Sequence, residues 1–78
     1  MPSIKRIGPY EFRFFLRGEA SEPAHIHVER EDMRCKFWLE PVELADPGRF
    51  KGHELRHIAK LVEENQKEFL YAWRQYFA

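Results

Sequence analysis

The chain has 78 residues, 13 of them basic and 13 acidic, with four His, no net charge and an aromatic content of 15%. A chain this short buries roughly 60% of its unfolded surface, which supports one core over residues 1–78 and leaves no room for a second domain or a deep cleft. Neutrality excludes the uniformly basic type of nucleic-acid-binding domain, and one cysteine, Cys35, excludes an internal disulfide or a Cys-rich zinc module.

Charge is nevertheless uneven. Lys5, Arg6, Arg13 and Arg17 face a single acid in residues 1–17, whereas residues 18–32 hold five acids and only Arg30. A basic stretch thus lies beside an acidic one, so a modest local field is expected. No segment approaches the ~20 apolar residues of a membrane span. The opening Met-Pro-Ser-Ile-Lys-Arg lacks the apolar core of a signal peptide, so a cytoplasmic location is expected.

In chain order, Ile4–Ile7 is a candidate short strand ahead of the Gly8-Pro9 break. Tyr10–Arg17 alternates, with Tyr10, Phe12, Phe14 and Leu16 on one side and Glu11, Arg13, Phe15 and Arg17 on the other, which predicts a strand. Gly18–Pro23 is polar and turn-like. His25–Arg30 alternates again, with Ile26 and Val28 opposite His25, His27 and Glu29. After an Glu31-Asp32 turn, Arg34–Glu40 sets Cys35, Phe37 and Leu39 against Lys36, Trp38 and Glu40. Pro41–Ala45 is a candidate edge strand before the Asp46-Pro47-Gly48 turn. From Gly52 the period lengthens: Leu55, Ile58, Val62, Phe69, Trp73 and Tyr76 follow three- and four-residue steps, interrupted at Asn65 and Gln66. This predicts one long helix, or two with a bend near Asn65.

Three or four strands followed by helix make an α+β fold, an antiparallel sheet with one face under the C-terminal helix. Strand parity places Tyr10, Phe12, Phe14, Leu16, Ile26, Val28, Cys35, Phe37 and Leu39 beneath the helix. It collects Arg13, Phe15, Arg17, His25, His27, Glu29, Lys36 and Trp38 on the other face. That open basic, imidazole and aromatic face is the candidate site, with Arg13, Phe15, Arg17, His25, His27 and Trp38 as its binding residues. His25 and His27, two residues apart on a strand, point the same way and could serve as an acid/base pair or as two ligands of one metal ion. The competing reading makes them ordinary surface residues of a strand. Trp38 could stack on a base or on a partner's ring.

His53-Glu54-Leu55-Arg56-His57 spells the H-E-x-x-H of zinc peptidases, which sets two imidazoles one turn apart beside a general base. Its context argues against that chemistry. It opens a helix instead of lying within one, no apolar residue precedes His53, and Ile58-Ala59-Lys60 lacks the glycine turn of the extended motif. No cofactor or metal is expected. Cys35, on the apolar face, reads as a small hydrophobe.

Four segments, Glu22–Glu29 (EPAHIHVE), Cys35–Ala45 (CKFWLEPVELA), Glu54–Ile58 (ELRHI) and Leu61–Phe77 (LVEENQKEFLYAWRQYF), together resemble the small bacterial domain-of-unknown-function family 4160. The likeness spans nearly the whole chain. The H-x-H-V element and the K-F-W-L-x-P-V-x-L-A run carry it, and Ala24 stands where the family's Pro-Pro-His-x-His-Val has its second proline. The resemblance implies a short cytoplasmic protein with a small sheet and a C-terminal helix. It also implies a neighbouring gene for another small protein, the two forming a toxin–antitoxin-like or regulatory pair. Finally, the resemblance implies an Arg-Glu-Leu-Arg-type sequence in relatives where His53–His57 stands here, which would make H-E-x-x-H a local accident. The expected function is therefore a non-enzymatic interaction module with a protein partner encoded nearby. The alternatives are a ribonuclease-like toxin acting on RNA, with His25 and His27 as acid/base pair and Arg13 or Arg17 on phosphate, and a metal-binding protein using His25 and His27. An exposed edge strand also admits a dimer.

Overall fold

The computed structural model describes residues 3–15 and 21–77. Five strands form one antiparallel sheet in sequence order: β1 (Ser3–Ile7), β2 (Tyr10–Arg13), β3 (His25–Arg30), β4 (Met33–Leu39) and β5 (Val42–Asp46). Two helices follow, α1 (Gly52–Glu64) and α2 (Gln66–Tyr76). The expected α+β architecture holds with one strand more than counted from sequence, because both candidate edge segments pair: β1 with β2, and β5 with β4. Among the described residues, no helix is long and apolar enough to cross a membrane.

Parity sorts the core as expected. Phe12, Phe14, Ile26, Val28 and Leu39 are fully buried beneath Ile58, Val62 and Phe69 of the helices. Phe12 stacks on Phe69 with ring centroids 5.2 Å apart, and Phe14 meets Trp73 edge-on at 5.3 Å. Phe50 and Leu70 join the core as well. Neither lies in the periodic pattern, since Phe50 sits in the loop before α1 and Leu70 directly follows Phe69.

The two helices meet at Asn65, whose own N–H and side-chain Nδ2 both donate to the Leu61 carbonyl, at 3.2 and 2.8 Å. A side chain that bonds its own preceding turn competes with the helical ladder, which accounts for the bend. The restart is anchored to the sheet because Gln66 Nε2 donates to the Leu39 carbonyl at 2.6 Å. At the other side of the sheet, Lys5 pairs with Glu68 at 3.1 Å, tying β1 to α2. Gly48 adopts a positive φ of 58° in the turn after β5, and its N–H donates to Asp46 Oδ1 at 2.9 Å.

Candidate functional site

The helix-free face of the sheet is built from cross-strand rows. Trp38 lies opposite His25, Lys36 opposite His27, and Arg34 opposite Glu29; Arg13 pairs with His27 and Glu11 with Glu29 on the next strand. Directly opposed side chains on one face come within reach of each other, so the rows bring together residues far apart in sequence.

A diagonal run of rings crosses this surface. The Phe15 and His27 rings lie 4.4 Å apart, His27 and His25 5.3 Å, and His25 and Trp38 5.8 Å. A cation covers each end: the Arg34 guanidinium sits 4.5 Å from the Phe15 ring centroid and the Lys36 ammonium 4.7 Å from that of Trp38. Phe15, His27, Lys36 and Trp38 are half-buried, so they pack against one another while keeping part of each side chain accessible.

His25 differs from its expected place. It is not on an open surface: only 1% of it is exposed. At the first position of β3 its ring lies beside Trp73 of α2, 5.0 Å between centroids, as well as beside Trp38 and His27. Strand parity cannot reveal this, because the C-terminal end of α2 reaches the end of the sheet and closes over the position from outside the strand. His25 Nδ1–H donates to the Pro23 carbonyl at 2.9 Å, and Glu22 Oε1 lies 3.6 Å from the same nitrogen. Arg17 lies outside the described residues, as does Leu16.

The basic character expected of the face is cancelled by acids folded onto it. Arg13, 19% exposed in its side chain, bridges Glu11 at 2.7 Å and Glu29 at 3.1 Å. Arg34 takes the other oxygen of Glu29 at 2.8 Å, and Lys36 donates to Glu22 at 2.6 Å. The hydrogen bond from Arg13 holds the Glu11 carboxyl below the usual carboxylate range, and Lys36 does the same for Glu22. Three cations thus meet three carboxylates. Arg34 escaped the sequence reading although it shares the parity of Lys36 and Trp38. Glu22 escaped because it belongs to a loop whose path no periodicity fixes.

The H-E-x-x-H residues serve a different purpose. Glu54 accepts two hydrogen bonds from Arg30, at 2.6 and 2.8 Å, and one from the Tyr10 hydroxyl at 2.7 Å. Arg30 foremost, then Tyr10, pulls the Glu54 carboxyl below its ordinary range; burial foremost, then Glu54, pushes the Tyr10 phenol up. The carboxylate that a zinc peptidase would use on water instead ties α1 to β2 and β3. His53 and His57 are exposed, and the His57 ring leans on Tyr10 with 5.9 Å between centroids. Among the described residues, no three His, Cys, Asp or Glu side chains are grouped so as to hold a metal ion. Cys35 is buried, and burial pushes its thiol up to about 12.

Residues 10–74, which hold both the ring diagonal and the Glu54 tie, match the family described as domain of unknown function (DUF4160). The chain belongs to that family. The match runs from the first residue of β2 into the last turn of α2, so the site and the core that carries it are both features of the DUF4160 domain. No curated protein and no solved structure matches the chain.

Proposed function

We propose that this DUF4160 domain is a protein-binding module, the partner-recognising half of a two-protein regulatory or toxin–antitoxin-like system, and that it binds through the helix-free face. The observation that carries the reading is the ring diagonal of Phe15, His27 and Trp38, capped by Arg34 and Lys36, which among the described residues meets the helices at His25, against Trp73. Trp, Phe and Arg, as in Trp38, Phe15 and Arg34, are enriched at protein-contact interfaces.

Charge favours this reading over the ribonuclease-like one. A phosphate site needs cations free to meet an incoming anion, but Arg13 is held by two carboxylates and Lys36 by one. An RNA backbone approaching here would meet Glu11, Glu22 and Glu29 along with the bases. His25, enclosed between two tryptophans, is poorly placed to exchange a proton with a substrate, and His27 is half-buried.

The test is co-purification of the tagged chain with the product of the gene beside its own, comparing wild type with Phe15→Ala and Trp38→Ala. The two variants should keep the wild-type far-UV circular dichroism and lose the partner. Retention of the partner by both would reject the face. A partner-free protein that shifts homopolymeric RNA in a Lys36-dependent, salt-sensitive way would support the ribonuclease-like reading instead.

A further inference from the structure

The two edges of the sheet are complementary to each other, and this lies outside the face assigned above. β1 ends the sheet on one side and β5 on the other. Each edge runs beside an apolar groove on the helix side. The groove at β5, about 310 Å³, is lined by Val42, Leu44, Leu55 and Ala59; the groove at β1, about 510 Å³, by Ile4, Tyr71, Ala72 and Tyr76. Among the described residues the exposed large hydrophobic side chains are Leu44, 43% exposed, and Tyr71, 64% exposed, one at each groove.

Facing is consistent on both sides of the sheet. Leu44 lies opposite the buried Phe37 and so points to the helix side, while Glu43 and Asp46 lie opposite Trp38 and Lys36 and point away from it. On β1, Ile7 lies opposite Tyr10 on the helix side, and Arg6 lies opposite Glu11 on the other. Arg6 is 62% exposed and held only at 3.6 Å by Glu11, whose carboxylate is taken more closely by Arg13. The edge signs away from the helices are therefore opposite: Glu43 and Asp46 on β5, Arg6 on β1, whereas Lys5 lies opposite Phe12 on the helix side and is held by Glu68. The grooves differ likewise, with Arg56 at the rim of one and Glu68, which already holds Lys5, at the rim of the other.

We infer that β5 of one copy docks against β1 of a second copy, extending the sheet head to tail. An unpaired strand edge offers a ready row of backbone donors and acceptors. In a five-stranded antiparallel sheet β1 and β5 run the same way, so a copy that keeps its helices on the same side presents β1 parallel to β5. Leu44 then enters the groove beneath Tyr71 of the neighbour, and Arg6 of the neighbour meets Glu43 and Asp46. Two-fold alternatives are disfavoured by charge. Pairing β5 with its own copy brings Glu43 and Asp46 against themselves, and pairing β1 with its own copy does the same for Arg6. A contact between two different patches leaves one of each free at the ends, so assembly continues beyond two copies unless it closes into a ring.

The test is the solution mass of the full chain by sedimentation velocity between about 10 µM and about 1 mM, the range of small, transient contacts. Wild type should grow past two copies as concentration rises, less so at high salt because the edge charges are screened. Leu44→Lys and Tyr71→Lys should each stay monomeric, and an equimolar mixture of the two should recover a species of two copies and stop there. Each variant spoils a different patch, so one intact contact remains possible in the mixture. A wild type that stays monomeric throughout overturns the inference, as does a mixture that stays monomeric. Loss of assembly in Leu44→Lys with none in Tyr71→Lys overturns it in favour of a two-fold β5 contact. Should either first variant fail to fold, Glu43→Lys and Arg6→Glu form a second pair: each alone should stay monomeric, and their equimolar mixture, in which opposite charges meet again at both contacts, should grow past two copies, while a mixture that stays monomeric overturns the inference.

Discussion

Replacing His25 with Ala should destabilise the whole domain. The side chain is 1% exposed and its ring contacts those of Trp38, Trp73 and His27. Truncating a buried side chain of comparable size costs about 2–5 kcal/mol, and each lost ring pair accounts for about 0.5–1.5 kcal/mol beyond the buried area. We therefore expect a loss of about 3 kcal/mol. A domain of this length holds roughly 4–12 kcal/mol in total, so the change is a large fraction of it. In urea, with a slope near the lower end of the range at about 1–1.5 kcal/mol/M, the midpoint should fall by about 2–3 M. Intrinsic fluorescence is a suitable probe, because Trp38 and Trp73 both border the substituted ring. His27→Ala is the control: its ring is half-buried, and its midpoint should move by less than about 0.7 M. A His25→Ala midpoint within about 0.3 M of wild type would refute the enclosed placement of this histidine and return it to the open surface.

Other consequences can be measured on the isolated chain. A Cβ at Gly48 would run into the backbone carbonyl of Arg34, and the positive φ there disfavours any L side chain. Gly48→Ala should cost about 2 kcal/mol and lower the melting temperature by about 10 °C, and a drop under about 3 °C would contradict the turn geometry. Glu54, Glu11 and Glu22 all have carboxyls lowered by a basic neighbour's hydrogen bond. Their folded values lie below the unfolded 4.5, so this stability is fully present above pH 4.5 and is lost as pH falls through the folded values. Glu54→Gln should flatten the decline of urea stability below pH 4.5, and an unchanged slope would show that the Arg30–Glu54 tie does not form. Cys35, with its thiol pushed up to about 12, should resist a thiol reagent at neutral pH until the chain is unfolded in denaturant; rapid labelling of the native protein would count against its burial.

The fold was legible wherever the local pattern and the tertiary packing agree. Period-two alternation placed Phe12, Phe14, Ile26, Val28, Phe37 and Leu39 in the core, and the break at Asn65-Gln66 located the joint between the helices. The site was legible in part. Parity gathered Arg13, Phe15, His27, Lys36 and Trp38 on one face, and the structure brings these together. Two properties escaped it because they are non-local. Enclosure of His25 depends on Trp73, 48 positions downstream, and neutralisation of the face depends on Glu22, from the loop before β3. Glu54 shows the converse. Its motif advertised chemistry, but its function depends on Arg30 and Tyr10, which no spacing rule connects to it.

The central claim is that the ring diagonal recognises a protein. It is tested most directly by calorimetric titration of the chain with the purified product of the neighbouring gene, wild type against Trp38→Ala. Hot-spot truncations cost about 2 kcal/mol or more, so the dissociation constant should rise by about 30-fold or more with folding unchanged. An equal dissociation constant for the two proteins, or no heat of binding from wild type, would contradict the claim.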